Sequence, residues 1–312
     1  MREEQDLVAK GATVRRLDKN FRWPDGHRIA IFFNIAFEAW SDGKGPGIGP
    51  MGNPLPSGHF DTNALSFGTY GPVCGIWRLL DGLAHNKLKA GVMVSGVLAE
   101  RYPETVKTIA AAGHDVIAHA YGQEIIPVTL LEAAERDHIG RVTQLLTNVT
   151  GVAPKGWMSP RATPSPITAR LLAEAGYLWH GDAMDDDLPY IQDFSGPSIV
   201  AMPFTMEVND MPLYMRYGDP PRQYVEMFER TLARLRQRSE KGAVLLDATA
   251  HAHVFGRPLG AWAYEAVLQI AKRTRDVWIG TRTEAEKHIR ESLLHTCSAQ
   301  RRPNMKPRRK RS

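Results

Sequence analysis

Short apolar runs that alternate with segments of helical period constrain this chain more than any other feature. The runs fall at Arg28–Ile35, Gly91–Ser95, Asp115–His119, Lys155–Ser159, Tyr177–Gly181, Ser198–Pro203, Ala243–Asp247 and Val277–Gly280. Between them the spacing predicts helices over Val73–His85, Val97–Ala112, Leu130–Asn148, Ser165–Ala175, Arg222–Arg238 and Leu259–Thr274, and a last one over Thr283–His295. In Leu130–Asn148, for instance, Leu130, Leu131, Ala134, Ile139, Val142, Leu145 and Leu146 recur near a 3.6-residue period. Thr163-Pro164-Ser165-Pro166 reads as a helix entry, and Ala175-Gly176 as an exit.

Strand–helix alternation implies parallel strands joined by helical crossovers. Seven or eight units favour a single distorted (β/α)7-8 barrel, with an open doubly wound sheet as the rival. The nucleotide-binding form of that rival wants GxGxxG after its first strand. Here Ala36–Pro50 reads AFEAWSDGKGPGIGP, whose glycines miss the spacing. Trp40–Phe67 is expected to be a long ordered loop over a substrate. The chain of 312 residues, 43% hydrophobic, can bury one large core. The expected layout is an extension over 1–27, a barrel over 28–297 and a basic tail over 298–312.

Composition narrows the partners. Cys74 and Cys297 stand far apart, which excludes a disulfide scaffold and points to a reducing compartment. No apolar stretch is long enough for a membrane span, and MREEQDLVAKGATVRR lacks an apolar leader, so a cytoplasmic location is expected. Net charge is +5, but Ser298–Ser312 holds seven basic residues and no acid. The body is therefore slightly acidic, unlike a nucleic-acid-binding domain, and the tail is expected to be disordered. The expected partner is a small-molecule substrate, in a homo-oligomer.

In a barrel, chemistry gathers where strands end on the carboxyl face. Asn34 and Glu38 close the first strand. His119, Gln123 and Glu124 follow the third, and Trp157 and Arg161 the fourth. His180, Asp182 and Asp185-Asp186-Asp187 follow the fifth, and Glu207, Asn209 and Asp210 the sixth. Asp247, His251 and His253 follow the seventh. One histidine at a strand end is ordinarily structural. Several strand ends in succession carrying His, Arg, Asp or Glu form the layout of a pooled active site. Trp157 and Trp179 belong to core or rim, and either could stack on a ring substrate.

The order of these motifs resembles the NodB homology domain of the polysaccharide deacetylases. Within it, the chain resembles the branch of cofactor-independent allantoinase and intracellular peptidoglycan-deacetylase-like proteins. The resemblance runs from about Arg28 to Ile289 and rests on GHDVIAH (Gly113–His119), GWMSPR (Gly156–Arg161), HAHVFGRP (His251–Pro258) and Glu207-Val208-Asn209-Asp210. It implies a hydrolase of non-peptide carbon–nitrogen bonds. His119 matches the family's first metal-binding histidine, Arg161 the arginine that orients the acid residue, and His251 or His253 the late proton donor.

Two positions depart from that pattern. Gln123 replaces the second histidine of a His-x3-His pair, and Asn34-Ile35-Ala36-Phe37-Glu38 replaces a pair of aspartates. Zinc prefers Cys, His and carboxylate, so no cofactor is expected. The expected catalytic set is Glu38 as base, His251 as acid, and His119 and Arg161 on the substrate oxygen. Gln123, Trp157, Asp182, Asn209, Asp210 and His253 are expected to bind substrate. The alternatives are a zinc-dependent deacetylase of an N-acetylated sugar and a non-catalytic ligand-binding member.

Overall fold

A computed structural model describes residues 10–46, 55–56 and 58–300, with side chains through residue 293. The strands are β1 (Thr13–Arg16), β2 (Ile29–Phe37), β3 (Gly91–Val94), β4 (Asp115–Ala118), β5 (Gly156–Trp157), β6 (Trp179–His180), β7 (Tyr190–Asp193), β8 (Ser198–Ala201), β9 (Val244–His251) and β10 (Val277–Gly280). The helices are α1 (Thr62–Tyr70), α2 (Ile76–Asn86), α3 (Gly96–Arg101), α4 (Pro103–Ala111), α5 (Glu132–Thr150), α6 (Thr168–Glu174), α7 (Pro221–Arg238), α8 (Pro258–Arg273) and α9 (Arg282–Gln300).

The central strand β2 reads IAIFFNIAF and is buried at every position. Its two faces serve different layers, because successive side chains on a strand alternate. Ile29, Ile31, Phe33, Ile35 and Phe37 join the core under the helices. Ala30, Phe32 and Ala36 join the inner core, with Met93, Ile117, Met158, Trp179 and Met202. The helices present matching stripes: Ile76, Leu79, Leu80 and Leu83 on α2, Tyr224, Phe228 and Leu232 on α7, and Tyr264, Val267, Leu268 and Ala271 on α8.

Strands β8, β6, β5, β4, β3 and β2 lie side by side, all parallel. The first half of β2 pairs with β10 and the second half with β3, while β9 runs along its other edge from Ile29 to Ala36. Strands β8 and β9 share no ladder; the segment just after β8, Thr205–Asn209, meets β9 instead. Asn209 bridges Thr249, the Thr249 amide donates to Val208 O at 2.9 Å, and Thr205 exchanges two hydrogen bonds with Asp247. The sheet thus curls back toward itself as an α/β fold of distorted-barrel type. No helix among the described residues is long and apolar enough to cross a membrane.

Several elements differ from expectation. The segment before Arg28 adds β1, antiparallel to β7, which is itself antiparallel to β8. Trp23 is fully buried, donates Nε1–H to Val244 O at 2.8 Å and stacks on Trp278. The expected helix Val97–Ala112 breaks at Tyr102, where Pro103 brings no N–H to continue it. The expected loop Trp40–Phe67 contains the start of α1, whose Asp61 cap accepts from the Ala64 amide at 2.8 Å. Residues 47–54 and 57 of that loop, and 301–312 of the tail, lie outside the described residues. The backbone of α9 runs on to Gln300, past the predicted end at His295.

Candidate active site

The carboxyl ends of β2, β4 and β9 bring three ionisable side chains together. Glu38 is the first residue after β2, His119 the first after β4, and His251 the last of β9. Glu38 Oε1 lies 3.1 Å from His119 Nε2 and 3.6 Å from His251 Nε2. Beyond His251, Nδ1 lies 2.6 Å from Asp210 Oδ1. Beyond His119, Nδ1 lies 2.7 Å from the carbonyl oxygen of Met158. A carbonyl only accepts, so His119 Nδ1 carries a proton and its Nε2 is aimed at Glu38. The result is one line, Asp210–His251–Glu38–His119–Met158, hydrogen-bonded at each step except His251–Glu38, which is an ion-pair contact.

The line is buried, which sets its electrostatics. Burial alone would raise the Glu38 carboxyl, but the His251 charge and the His119 hydrogen bond outweigh it and hold it at about 2. Burial alone would lower His251, but Asp210 and Glu38 lift it to about 9. His251 is therefore protonated at neutral pH and sits between two carboxylates. Asp210 is fully buried, and its Oδ2 also accepts the amides of His251 and Phe255, at 2.8 and 3.2 Å. Both of its oxygens are taken up by the His251 ring and these two amides, which places Asp210 behind His251 as seen from Glu38.

The other expected residues divide. Asp182 is buried and accepts Ser159 N and Ser159 Oγ, both at 2.7 Å. Burial raises its carboxyl against the pull of His180, Ser159 and His119. Gln123 donates to Ser95 Oγ at 3.0 Å and to His119 O at 3.1 Å, so its amide braces the loop after β4. Trp157 is core: it is 1% exposed, meets His138 and Tyr177 edge-on and donates to Ser159 Oγ. Asn209 caps the following turn, accepting from the Met211 amide at 2.9 Å.

Arg161 is exposed, with a left-handed backbone at φ 58°. Its guanidinium makes no hydrogen bond or ion pair among the described residues, because the turn at Pro160–Ala162 carries it outward. His253 is fully buried beside His251, with rings 5.8 Å apart. Neither ring nitrogen has a hydrogen-bond partner among the described residues. The acidic triplet is spent on surface contacts: Asp185 accepts from Tyr190, Asp186 pairs with Arg16, and Asp187 with Arg238.

Sequence reasoning placed Asn34 at the departed first motif without a role. Its amide donates to Asp247 Oδ1 at 2.9 Å, and its Oδ1 accepts from Arg282 at 2.9 Å. Arg282 also pairs with Asp247 at 2.7 Å, with both side chains buried. Arg282 stands one residue before the predicted helix Thr283–His295 and belongs to none of the quoted motifs. The family's ion site does not fit these residues. Gln123 offers only a neutral amide, whose NH2 is held by Ser95 and the His119 carbonyl, Asn34 is tied to Asp247 and Arg282, and no described group of three His, Cys, Asp or Glu side chains is placed to hold an ion.

Comparison with known proteins agrees with this architecture. The polysaccharide deacetylase family model matches residues 60–179. The peptidoglycan deacetylase of Helicobacter pylori is 30% identical over 146 residues, 47% of this chain and 50% of that protein, so the match spans half of that relative's length. The crystal structure of PuuE allantoinase superposes with a TM-score of 0.78 at 25% identity, covering 92% of this chain and 97% of its own. A probable polysaccharide deacetylase from Pseudomonas aeruginosa PAO1 superposes with a TM-score of 0.76 at 27% identity, covering 86% and 93%. Residues 60–179 thus match the polysaccharide deacetylase family, and the chain as a whole shares its fold with PuuE allantoinase and the Pseudomonas aeruginosa protein.

Proposed function

We propose that this chain hydrolyses a non-peptide carbon–nitrogen bond in a small intracellular substrate, without a tightly held metal ion. The observation that carries the reading is the line Asp210–His251–Glu38–His119, which supplies a base and a charged acid on one carboxylate. Amide hydrolysis needs a base for water and a proton for the leaving nitrogen.

In this scheme Glu38 takes a proton from water as its oxygen attacks the carbonyl carbon. The carbon–nitrogen bond then breaks, and His251 Nε2–H delivers its proton to nitrogen. The two steps reinforce each other. Glu38 is a weak base only while His251 is charged, and giving up that charge removes the main attraction holding its carboxyl down. Asp210 keeps the His251 proton available, and His119 fixes the Glu38 carboxylate from the other side. Acid–base assistance of this kind is worth ~100–10,000-fold, which suits an activated or cyclic amide better than the acetamide of a sugar polymer.

The test is turnover of an uncharged cyclic diamide, hydantoin, against N,N′-diacetylchitobiose, with and without chelator. Ring opening of hydantoin unaffected by chelator is the expected result. Chelator-sensitive release of acetate from the disaccharide would replace this reading with a metal-dependent deacetylase.

A further inference from the structure

The turn after β9 holds a polar group that the hydrolytic scheme leaves unused. His253 has no solvent exposure, and neither Nδ1 nor Nε2 has a hydrogen-bond partner among the described residues. Buried polar groups in native proteins are nearly always paired, and an unpaired one lowers stability. A purely structural position would accept an apolar ring more cheaply.

The surroundings give the unpaired ring a purpose. His251 lies against it at 5.8 Å, and Trp40 and Phe67 present themselves edge-on at 5.5 and 5.9 Å. Trp40 stands two residues beyond Glu38, and Phe67 belongs to α1. The ring is thus walled by the acid on one side and by aromatic groups from the segment after the base.

Its backbone is also held closely from behind. A Cβ at Gly71 would come within 3.4 Å of the His253 nitrogen, and Cβ atoms at Gly75 and Gly256 within 1.9 and 2.0 Å of Ala252 O. Three glycines therefore let the chain press on this turn and fix where the His253 ring sits. Burial, helped by the nearby His251 and Arg257 charges, keeps the His253 pKa at about 4 against the opposing pull of Glu38 and Asp210. The ring is then uncharged at neutral pH, with one donor and one acceptor.

We propose that His253 is the substrate-recognition residue of this site: an imidazole held dry against Trp40 and Phe67 that hydrogen-bonds an uncharged amide edge of the substrate beside the bond that His251 protonates. The proposal rests on the hydrolytic reading of the same pocket and adds the group that selects the substrate. An uncharged imidazole cannot ion-pair with a carboxylate, so the preferred ligand edge is a neutral N–H or C=O.

The experiment uses the full chain and two variants, His253→Phe and His253→Gln. Hydantoin and N,N′-diacetylchitobiose binding is measured by calorimetry, hydantoin turnover by KM and kcat, and stability by thermal melting. His253→Phe should bind hydantoin ~10-fold more weakly, the loss of about one ligand hydrogen bond. KM should rise by a similar factor, with kcat changed less. Its melting temperature should be unchanged or higher, because no protein hydrogen bond is lost. His253→Gln, which restores a donor and an acceptor, should recover most of the binding.

Equal hydantoin affinity in His253→Phe and the native protein would overturn the proposal. So would a phenylalanine variant that fails to fold or melts several degrees lower, and so would a native protein that binds neither probe. Binding that follows the expected pattern without hydrolysis of either probe would retire the hydrolytic scheme and leave recognition by His253 standing.

Discussion

His251 Nδ1 lies 2.6 Å from Asp210 Oδ1, on a carboxylate with no exposure to solvent. That contact joins the end of β9 to the loop after β8, forty-one residues earlier in the chain. It fixes the ring so that Nε2 faces Glu38, and it favours the charged form.

Asp210→Asn keeps the side-chain shape but removes that charge. The amide can present its NH2 to His251, reversing the hydrogen bond and weakening the hold on the ring's proton. Turnover should fall ~100–10,000-fold, and the alkaline limb of the kcat/KM profile should move to lower pH. An unchanged limb would separate Asp210 from His251.

The native pH profile follows from two opposite shifts. Against burial, Asp210 and Glu38 lift His251 from 6.5 to about 9; its stabilisation is complete below 6.5 and lost as pH rises through about 9. Against burial, the histidines lower Glu38 from 4.5 to about 2; its stabilisation is present above 4.5 and lost as pH falls through about 2. Turnover per free enzyme should hold level through neutral pH and decline near pH 9, as the acid loses its proton. A decline centred on the ordinary imidazole value would contradict the assignment.

Glu38→Gln removes the base while keeping its volume. Turnover should drop ~100–10,000-fold, with hydantoin binding little changed. Asp182→Asn should cost far less, because both Asp182 oxygens are already engaged by Ser159 at 2.7 Å. Steady-state kinetics on the two variants decides between the carboxylates; a larger loss in Asp182→Asn would move the base there.

Elemental analysis tests the metal-free reading. After dialysis against a weak chelator, the protein should retain well under one equivalent of zinc, with hydantoin turnover unaltered. The reason is Gln123, whose amide is committed to Ser95 and the His119 carbonyl. Stoichiometric zinc ligated by His119 would reverse the conclusion.

Gly75→Ala should destabilise the fold and the site together. The added Cβ would lie 1.9 Å from Ala252 O and 2.9 Å from Ala252 C, so backbone must move between His251 and His253. A loss of ~1–3 kcal/mol is expected, read as a lower melting temperature and accompanied by reduced turnover. A neutral melting curve would show that the turn has slack.

The sequence by itself determined the alternation of strands and helices, the placement of Glu38, His119 and His251 at or beyond strand ends, and the departures at Gln123 and Asn34; that β9 runs on past Asp247 to His251 was not legible. Those features are local: apolar period, strand length and residue type are written within a few positions. Trp23, β1 and the division of Val97–Ala112 were missed or merged, because the first two depend on distant partners and the last on one proline within an apolar pattern. The site divided along the same line. Asp210 reads as a ligand-binding residue until His251, at the end of β9, is set against it. Trp157 reads equally as core or stacking platform until His138 and Tyr177 enclose it. Arg161 follows a strand just as His119 does, yet a left-handed turn at φ 58° carries it to the surface. Side-chain direction after a strand depends on one or two backbone torsions and on what packs behind them, and only the tertiary structure supplies both.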